Sequence, residues 1–273
     1  MSAVHERAFA KLNLILHVGR RRADGMHPLG SVFASIDLCD DVRVEPAEAD
    51  TVECPGLAGP NLAGEALAVF RRRVPELPPL RVQIDKRIPV AAGLGGGSAD
   101  AAAVLRAANG IAGDALDAGA LRELAAELGS DVPSQVDPRH ALVSGIGEVV
   151  QPVELPAFGA VLVPSHAGLS TAQVYAEFDR LGGGRRHLDV DALRSLVRDM
   201  TLLPILANDL QPAAIELRPE LPAVLASLRG QGALGALVSG SGPTCFGLFE
   251  DRATAEAVAA RIDGALASGL RAR

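Results

Sequence analysis

Residues 88–109 read IPVAAGLGGGSADAAAVLRAAN, and the reading of this stretch decides the fold. Gly93, Gly95, Gly96 and Gly97 lack a Cβ, so the backbone can take positive φ and approach a ligand closely. Ser98 is a good N-cap, and Ala99 to Ala108 are nearly all strong helix formers. The loop therefore ends on a helix N-terminus, where unpaired N–H groups and the positive dipole end favour a phosphate. Upstream, residues 80–85 (LRVQID) alternate apolar and polar like a half-buried strand. Strand, glycine loop and small-residue helix fit a nucleotide phosphate cradle, and equally a flexible turn before a core helix.

Two familiar phosphate loops are excluded. No Gly-Lys-Ser/Thr follows, so this is not a Walker A loop. The Rossmann spacing also fails, because Ser98 stands where the third glycine belongs after Gly93 and Gly95.

Working outward, 273 residues suffice for one large domain or two ordinary ones with a proper core. An apolar content of 48% and a charged content of 22% are those of a soluble globular protein. The net charge of −7 argues against a nucleic-acid partner, and the absence of Trp with a single Tyr argues against a base-stacking surface. Cys39, Cys54 and Cys245 are scattered, which fits reduced thiols in a cytoplasmic protein and no zinc site. The first residues, MSAVHERAFAKLN, lack the apolar run of a signal peptide, and no apolar run reaches membrane-spanning length, so no membrane partner is expected.

Phe9 to Val18 reads as a strand with Ala10, Leu12, Leu14, Leu16 and Val18 on one face. Lys11, Asn13 and His17 share the other face, which by default meets solvent, yet Asn is a poor strand residue and Asn13 hints at a specific contact. Val32 to Ile36 and Asp41 to Glu45 read as two further strands, and Asn61 opens a helix to about Arg73. Arg20 to Gly25 is a polar turn, solvated by default. A helix over Ala118 to Leu128 ends at Gly129, and Pro133 can start another, with Asp131 as its cap. A domain boundary falls near residues 148–156, which divides the chain into 1–152 and 153–273. Beyond it lie a strand over Gly159 to Pro164, a flexible loop over Gly182 to Arg186 and a strand over Ala233 to Val238. A second glycine turn over Ser239 to Thr244, a strand over Cys245 to Phe249 and a helix over Arg252 to Ala265 complete the pattern.

Three segments together carry a resemblance. Pro89-Val90-Ala91-Ala92-Gly93-Leu94-Gly95-Gly96-Gly97-Ser98-Ala99 resembles the P-x-x-x-G-L-G-S/G-S/G-x-A motif of the GHMP kinases, the family of galactokinase, homoserine kinase and mevalonate kinase. Ala10 to Leu14 and Val238 to Thr244 resemble its other two motifs, in the right order. Within the family, Asp24-Gly25 with His27, Gly129-Ser130-Asp131-Val132-Pro133 and Asn208-Asp209-Leu210 resemble the branch whose acceptor carries a cytidine diphosphate group.

The resemblance implies an α+β chain of two domains, with the active site in the cleft between them. The first, 1–152, would be the S5-domain-2-like ATP-binding domain; the second, 153–273, a ferredoxin-like sandwich. It implies ATP and Mg²⁺ as cofactors and transfer of the γ-phosphoryl to the 2-hydroxyl of a methylerythritol unit, a step of the non-mevalonate isoprenoid route. By motif, Asp131 would be the catalytic base and Lys11 its partner, and Pro89 to Ala99 would hold the nucleotide. Asn13, His27, Thr171, Tyr175, Gly240 and Ser241 would serve the acceptor side, with no protein ligand of a metal marked. Tyr175 fits one face of an aromatic sandwich on cytosine, whereas Met26 stands where the family has the other aromatic ring. Ser134-Gln135 likewise replaces a usual Phe-Phe behind the base. Asn61 and Lys86 are candidates for adenine, each as readily a helix cap or a surface charge. The resemblance is compatible with a monomer or weak homodimer. Its alternatives are another small-molecule kinase of the homoserine or mevalonate type, or a non-catalytic nucleotide- and sugar-binding relative; Lys11 and Asp131 disfavour the last.

Overall fold

The computed structural model describes residues 3–57, 59, 61–165, 167–198 and 205–271. By contacts the chain forms two units: Met1–Ala10, Leu38–Ile88 and Gly95–Pro138 make the first, and Lys11–Asp37, Pro89–Leu94 and Arg139–Arg273 the second.

The first unit takes the opening residues of β1 (Val4–Val18), the later part of β2 (Leu29–Pro46), β3 (Thr51–Glu53) and β4 (Leu80–Asp85). β2 pairs antiparallel with β4 from Asp41 opposite Asp85 to Pro46 opposite Leu80, and β3 lies parallel on the other edge of β4. The alternation expected of β4 holds: Leu80, Val82 and Ile84 are buried, while Arg81 and Gln83 are half-buried and Asp85 is exposed. Four helices cover the buried side: α1 (Leu62–Arg73), α2 (Gly96–Ile111), α3 (Ala118–Leu128) and α4 (Val132–Gln135). α2 is buried nearly all round, and its run of alanines lets Phe70, Leu67 and Val132 pack close to its backbone.

The second unit contains β5 (Ala141–Gly145), β6 (Val149–Pro152), β7 (Gly159–Val163), α5 (Thr171–Arg180), α6 (Val190–Arg198), β8 (Ala207–Asn208), α7 (Gln211–Leu217), α8 (Leu221–Gly230), β9 (Gly235–Val238), β10 (Cys245–Phe249), α9 (Arg252–Ala259) and β11 (Leu266–Gly269). Four of its strands, β7, β9, β10 and β11, form an antiparallel sheet in the order β11-β7-β10-β9. With helices before β9 and after β10, this is the split βαβ arrangement of a ferredoxin-like sandwich. β5 continues β2 as an antiparallel neighbour, and β8 pairs parallel with β1 at Ile15 and Leu16. Phe178, Leu225, Leu228, Val161 and Phe249 belong to the core of this unit.

Several boundaries differ from expectation. The strands expected over 32–36 and 41–45 are one strand, β2, because the acidic residues between them are satisfied: Asp37 pairs with Arg252 and Asp40 with Lys86. β1 begins at Val4, not Phe9. α9 stops at Ala259 rather than near Ala265, since Gly264 at φ +68 turns the chain back into β11. The 182–186 loop is packed, not loose. A Cβ on Gly183 would lie 2.4 Å from the Phe178 ring, and Arg185 donates its N–H to the Val18 carbonyl and its guanidinium to Asp209.

Candidate functional site

α2 begins at Gly96, two residues before the Ser98 expected as its cap. Gly95 takes that position at φ +72, a left-handed conformation open to glycine, and its carbonyl accepts from the Ala99 N–H at 2.9 Å. Ser98 therefore lies inside the first turn, where the N–H groups of Gly96, Gly97 and Ser98 have no intrahelical acceptor. Gly96 is tightly packed: a Cβ would lie 3.0 Å from the Ile88 Cγ2 and 3.3 Å from the Lys86 Nζ, so those side chains would have to give.

Lys86, a candidate for adenine in the sequence, is engaged in a buried ion cluster. Its ammonium donates to Asp40 at 2.5 Å and to Asp100 at 2.8 Å, and Asp40 also accepts from the N–H groups of Arg87 and Ile88. Burial pulls the Lys86 pKa down, but the two carboxylates more than offset it and leave it raised. Asn61, the other adenine candidate, caps α1 by accepting from the Gly64 N–H at 3.0 Å.

In the second unit the polar side of β1 is not solvated. Lys11 is 4% exposed and Asn13 2%. The Lys11 ammonium donates to the Asn13 Oδ1 at 2.6 Å, Asn13 donates to the Ser31 hydroxyl at 2.9 Å, and Ser31 donates to the Ile15 carbonyl at 2.5 Å. The relay orients Asn13, and the Lys11 ammonium also lies 4.6 Å from the centre of the Phe33 ring. The Lys11 N–H donates to the Leu94 carbonyl at 3.0 Å, which ties β1 to the glycine loop.

The second glycine turn meets the same residues. A Cβ on Gly240 would lie 3.1 Å from the Asn13 Oδ1, 3.3 Å from the Gly93 carbonyl and 3.5 Å from the Lys11 Nζ. Three stretches far apart in the chain therefore converge on one point of this unit. Asn208 holds the turn by donating to the carbonyls of Val238 and Gly240 at 2.8 and 2.7 Å. The loop's other residues anchor here too: the Ala92 carbonyl accepts from Thr244 and the Ala91 carbonyl from Leu169, while Val90 is exposed.

Beside this point, Thr171 and Ser241 share a hydroxyl hydrogen bond of 3.0 Å. The His27 ring lies 5.1 Å from Tyr175 and 5.9 Å from Phe178 between centroids. Its Nδ1 meets the Gly19 carbonyl at 3.0 Å and its Nε2 the Asp179 carboxylate at 3.3 Å. Met26, which precedes His27 in the chain, is 41% exposed.

Asp131 stands at the head of α4, yet its carboxylate makes no cap hydrogen bond, so the cap reading is not the one taken. Its carbonyl accepts from the Ser134 hydroxyl at 2.7 Å, and the Gln135 carbonyl accepts from Arg106 at 2.6 Å. The Ser134 hydroxyl, standing where the family has a Phe, thus fastens the backbone at Asp131, while Gln135 contributes only its main-chain carbonyl.

Sequence reading missed Ser31, Asp40, Asp100, Phe178 and Asp179 as partners of these residues. Asp100 and Asn208 each carried a signal, as part of a motif. Among the described residues, no group of three or more His, Cys, Asp or Glu side chains is gathered to hold a metal ion, and no helix is long and apolar enough to cross a membrane.

The chain matches the models for the GHMP kinases N terminal domain over residues 61–137 and the GHMP kinases C terminal over residues 187–267. It is 44% identical to a 4-diphosphocytidyl-2-C-methyl-D-erythritol kinase of Nocardia farcinica, over 97% of this chain and 91% of that one. It is 41% identical to the kinase of the same name from Streptomyces avermitilis, over 98% and 94%. A crystal structure of 4-(cytidine 5'-diphospho)-2C-methyl-D-erythritol kinase superposes with a TM-score of 0.84 at 36% identity, covering 99% of this chain and 100% of that one. Homoserine kinase from Cytophaga hutchinsonii shares the fold alone, at 16% identity and a TM-score of 0.73, with 99% and 95% covered. The glycine loop, the buried Lys11–Asn13 pair and the second glycine turn thus sit in a chain that belongs to the GHMP kinase family, similar along nearly its whole length to the 4-diphosphocytidyl-2-C-methyl-D-erythritol kinases.

Proposed function

We propose that this protein transfers the γ-phosphoryl of ATP to the 2-hydroxyl of 4-diphosphocytidyl-2-C-methyl-D-erythritol. The observation that carries the reading is the similarity to kinases of that name over nearly the entire chain, at up to 44% identity. The amides at the start of α2 supply fixed dipoles for the β- and γ-phosphates, which need positioning and charge stabilisation more than covalent help. Magnesium would enter on those phosphates, a mode that needs no cage of protein ligands; it would neutralise charge on the transferred group.

Asp131 serves as the base that accepts the proton of the tertiary alcohol as transfer proceeds. Lys11 serves as its partner, stabilising the nascent alkoxide. The buried relay through Asn13 and Ser31 supports that role, because it fixes the lysine's rotamer before substrate arrives. On the acceptor side, His27, Asn13 and Thr171 read the cytidine, with Tyr175 stacking on its base.

The test is phosphoryl transfer from ATP to 4-diphosphocytidyl-2-C-methyl-D-erythritol, with wild type beside Asp131→Ala. Wild type is expected to turn over, and the variant to bind both substrates while losing about a hundred- to ten-thousand-fold in kcat. Transfer at undiminished rate by the variant removes Asp131 from its role; no transfer by folded wild type removes the substrate.

A further inference from the structure

We propose that Asp40, Lys86 and Asp100 form a positioning cluster that sets the first turn of α2 for nucleotide phosphates and couples their binding to proton uptake at Asp100. The inference rests on the reading of this loop as the ATP site.

The geometry makes one ammonium a three-way tie. Lys86 follows β4, Asp40 lies in β2 and is 0% exposed, and Asp100 is the fifth residue of α2 and 5% exposed. The Lys86 Nζ bonds both carboxylates and sits against Gly96, so the middle of β2, the end of β4 and the helix start share one cation. The other Asp40 oxygen takes the N–H groups of Arg87 and Ile88 at 2.5 and 2.8 Å, which fixes the entry into the loop. Charge-assisted bonds in a buried setting hold such a tie tightly and make it costly to break.

The cluster is also unbalanced. Two carboxylates meet one ammonium, and the Asp100 Oδ1 is buried without a hydrogen-bond partner. The groups that face Asp100 are Asp40 from β2, Lys86 after β4 and the Cys54 thiol beyond β3; burial and then the Asp100 charge raise the thiol's pKa. Burial pushes the Asp100 carboxyl up to about 7, Lys86 opposes that shift, and Asp40 adds to it. A polyphosphate at the first turn adds negative potential on top of Asp40 and favours the protonated form further. By reciprocity, ATP binding draws a proton to Asp100 and weakens as pH rises through neutrality.

The experiment is calorimetric titration with adenylyl imidodiphosphate, between about pH 6 and about pH 8.5, in two buffers of different ionisation heat. Wild type is compared with Asp100→Asn and Asp40→Asn. Wild type is expected to take up a fraction of a proton that Asp100→Asn does not. Across the range its Kd should rise about threefold or more beyond any rise in that variant. Folded Asp40→Asn should bind about tenfold more weakly at every pH, with acceptor binding unchanged. Equal proton uptake and equal pH slopes in wild type and Asp100→Asn would overturn the coupling, and wild-type affinity in folded Asp40→Asn would overturn the positioning role. Wild type that fails to bind the analogue at any pH overturns the ATP reading itself, and the inference falls with it.

Discussion

The Gly93 carbonyl accepts the Ser239 hydroxyl at 3.0 Å, and a Cβ on Gly93 would lie 2.2 Å from the Ser239 carbonyl oxygen. The first glycine loop and the second glycine turn, 146 residues apart, therefore pack backbone on backbone. Gly93→Ala meets that contact and also a φ of +74, which costs a non-glycine residue about 1–2 kcal/mol before the clash is counted. The loop must move. The expected outcome is a lowered melting temperature and a loss of transfer activity of at least about a hundredfold, read by calorimetry and by steady-state assay.

Asn208 donates to two buried carbonyls, those of Val238 and Gly240, and accepts from the Leu210 N–H. Asn208→Ala leaves all three unpaired, at a cost of about 1–3 kcal/mol for each that no water reaches. Asn208→Asp is expected to be no milder, because a carboxylate would face the two carbonyl oxygens. Chemical denaturation measures the stability loss. An increase in acceptor KM larger than that in ATP KM would locate the damage at the second glycine turn.

Met26 is exposed and precedes His27, whose ring packs against those of Tyr175 and Phe178. Met26→Tyr adds a second aromatic face for the pyrimidine at a position with room for it. Such a contact is worth about 0.5–1.5 kcal/mol, so acceptor KM is expected to fall about twofold to tenfold with ATP KM unchanged. A KM that stays the same would show that the base does not stack on this side.

Asp100 gives stability a pH dependence of known sign. Its folded pKa of about 7 lies above the ordinary carboxylate value, so within that window the folded state holds a proton that the unfolded chain has lost. The contribution is full at acid pH and is lost as pH rises toward 7. Asp100→Asn removes the titration and leaves Lys86 balanced by Asp40 alone. The variant is expected to gain on wild type in melting temperature at about pH 8, by about 2–4 °C for each 1 kcal/mol relieved, and to lose that gain at about pH 4.

The sequence by itself determined the parts that depend on near neighbours. The alternation of 80–85 marked β4, the alanine run marked α2, and Asn61 marked the cap of α1. The three glycine and lysine motifs, with their order along the chain, marked the family. Tertiary structure alone decided where polar side chains go. Lys11 and Asn13 were indistinguishable from a solvated strand face until Ser31, Phe33 and Gly240 closed over them. Lys86 looked like a surface charge until Asp40 and Asp100, 46 and 14 residues away, came to its ammonium. The cap of α2 moved from Ser98 to Gly95 because the left-handed turn, rather than the hydroxyl, sets the helix entry. Periodicity and propensity are local properties of a chain. The burial of a polar face depends on which distant segment packs upon it, and no local pattern carries that information.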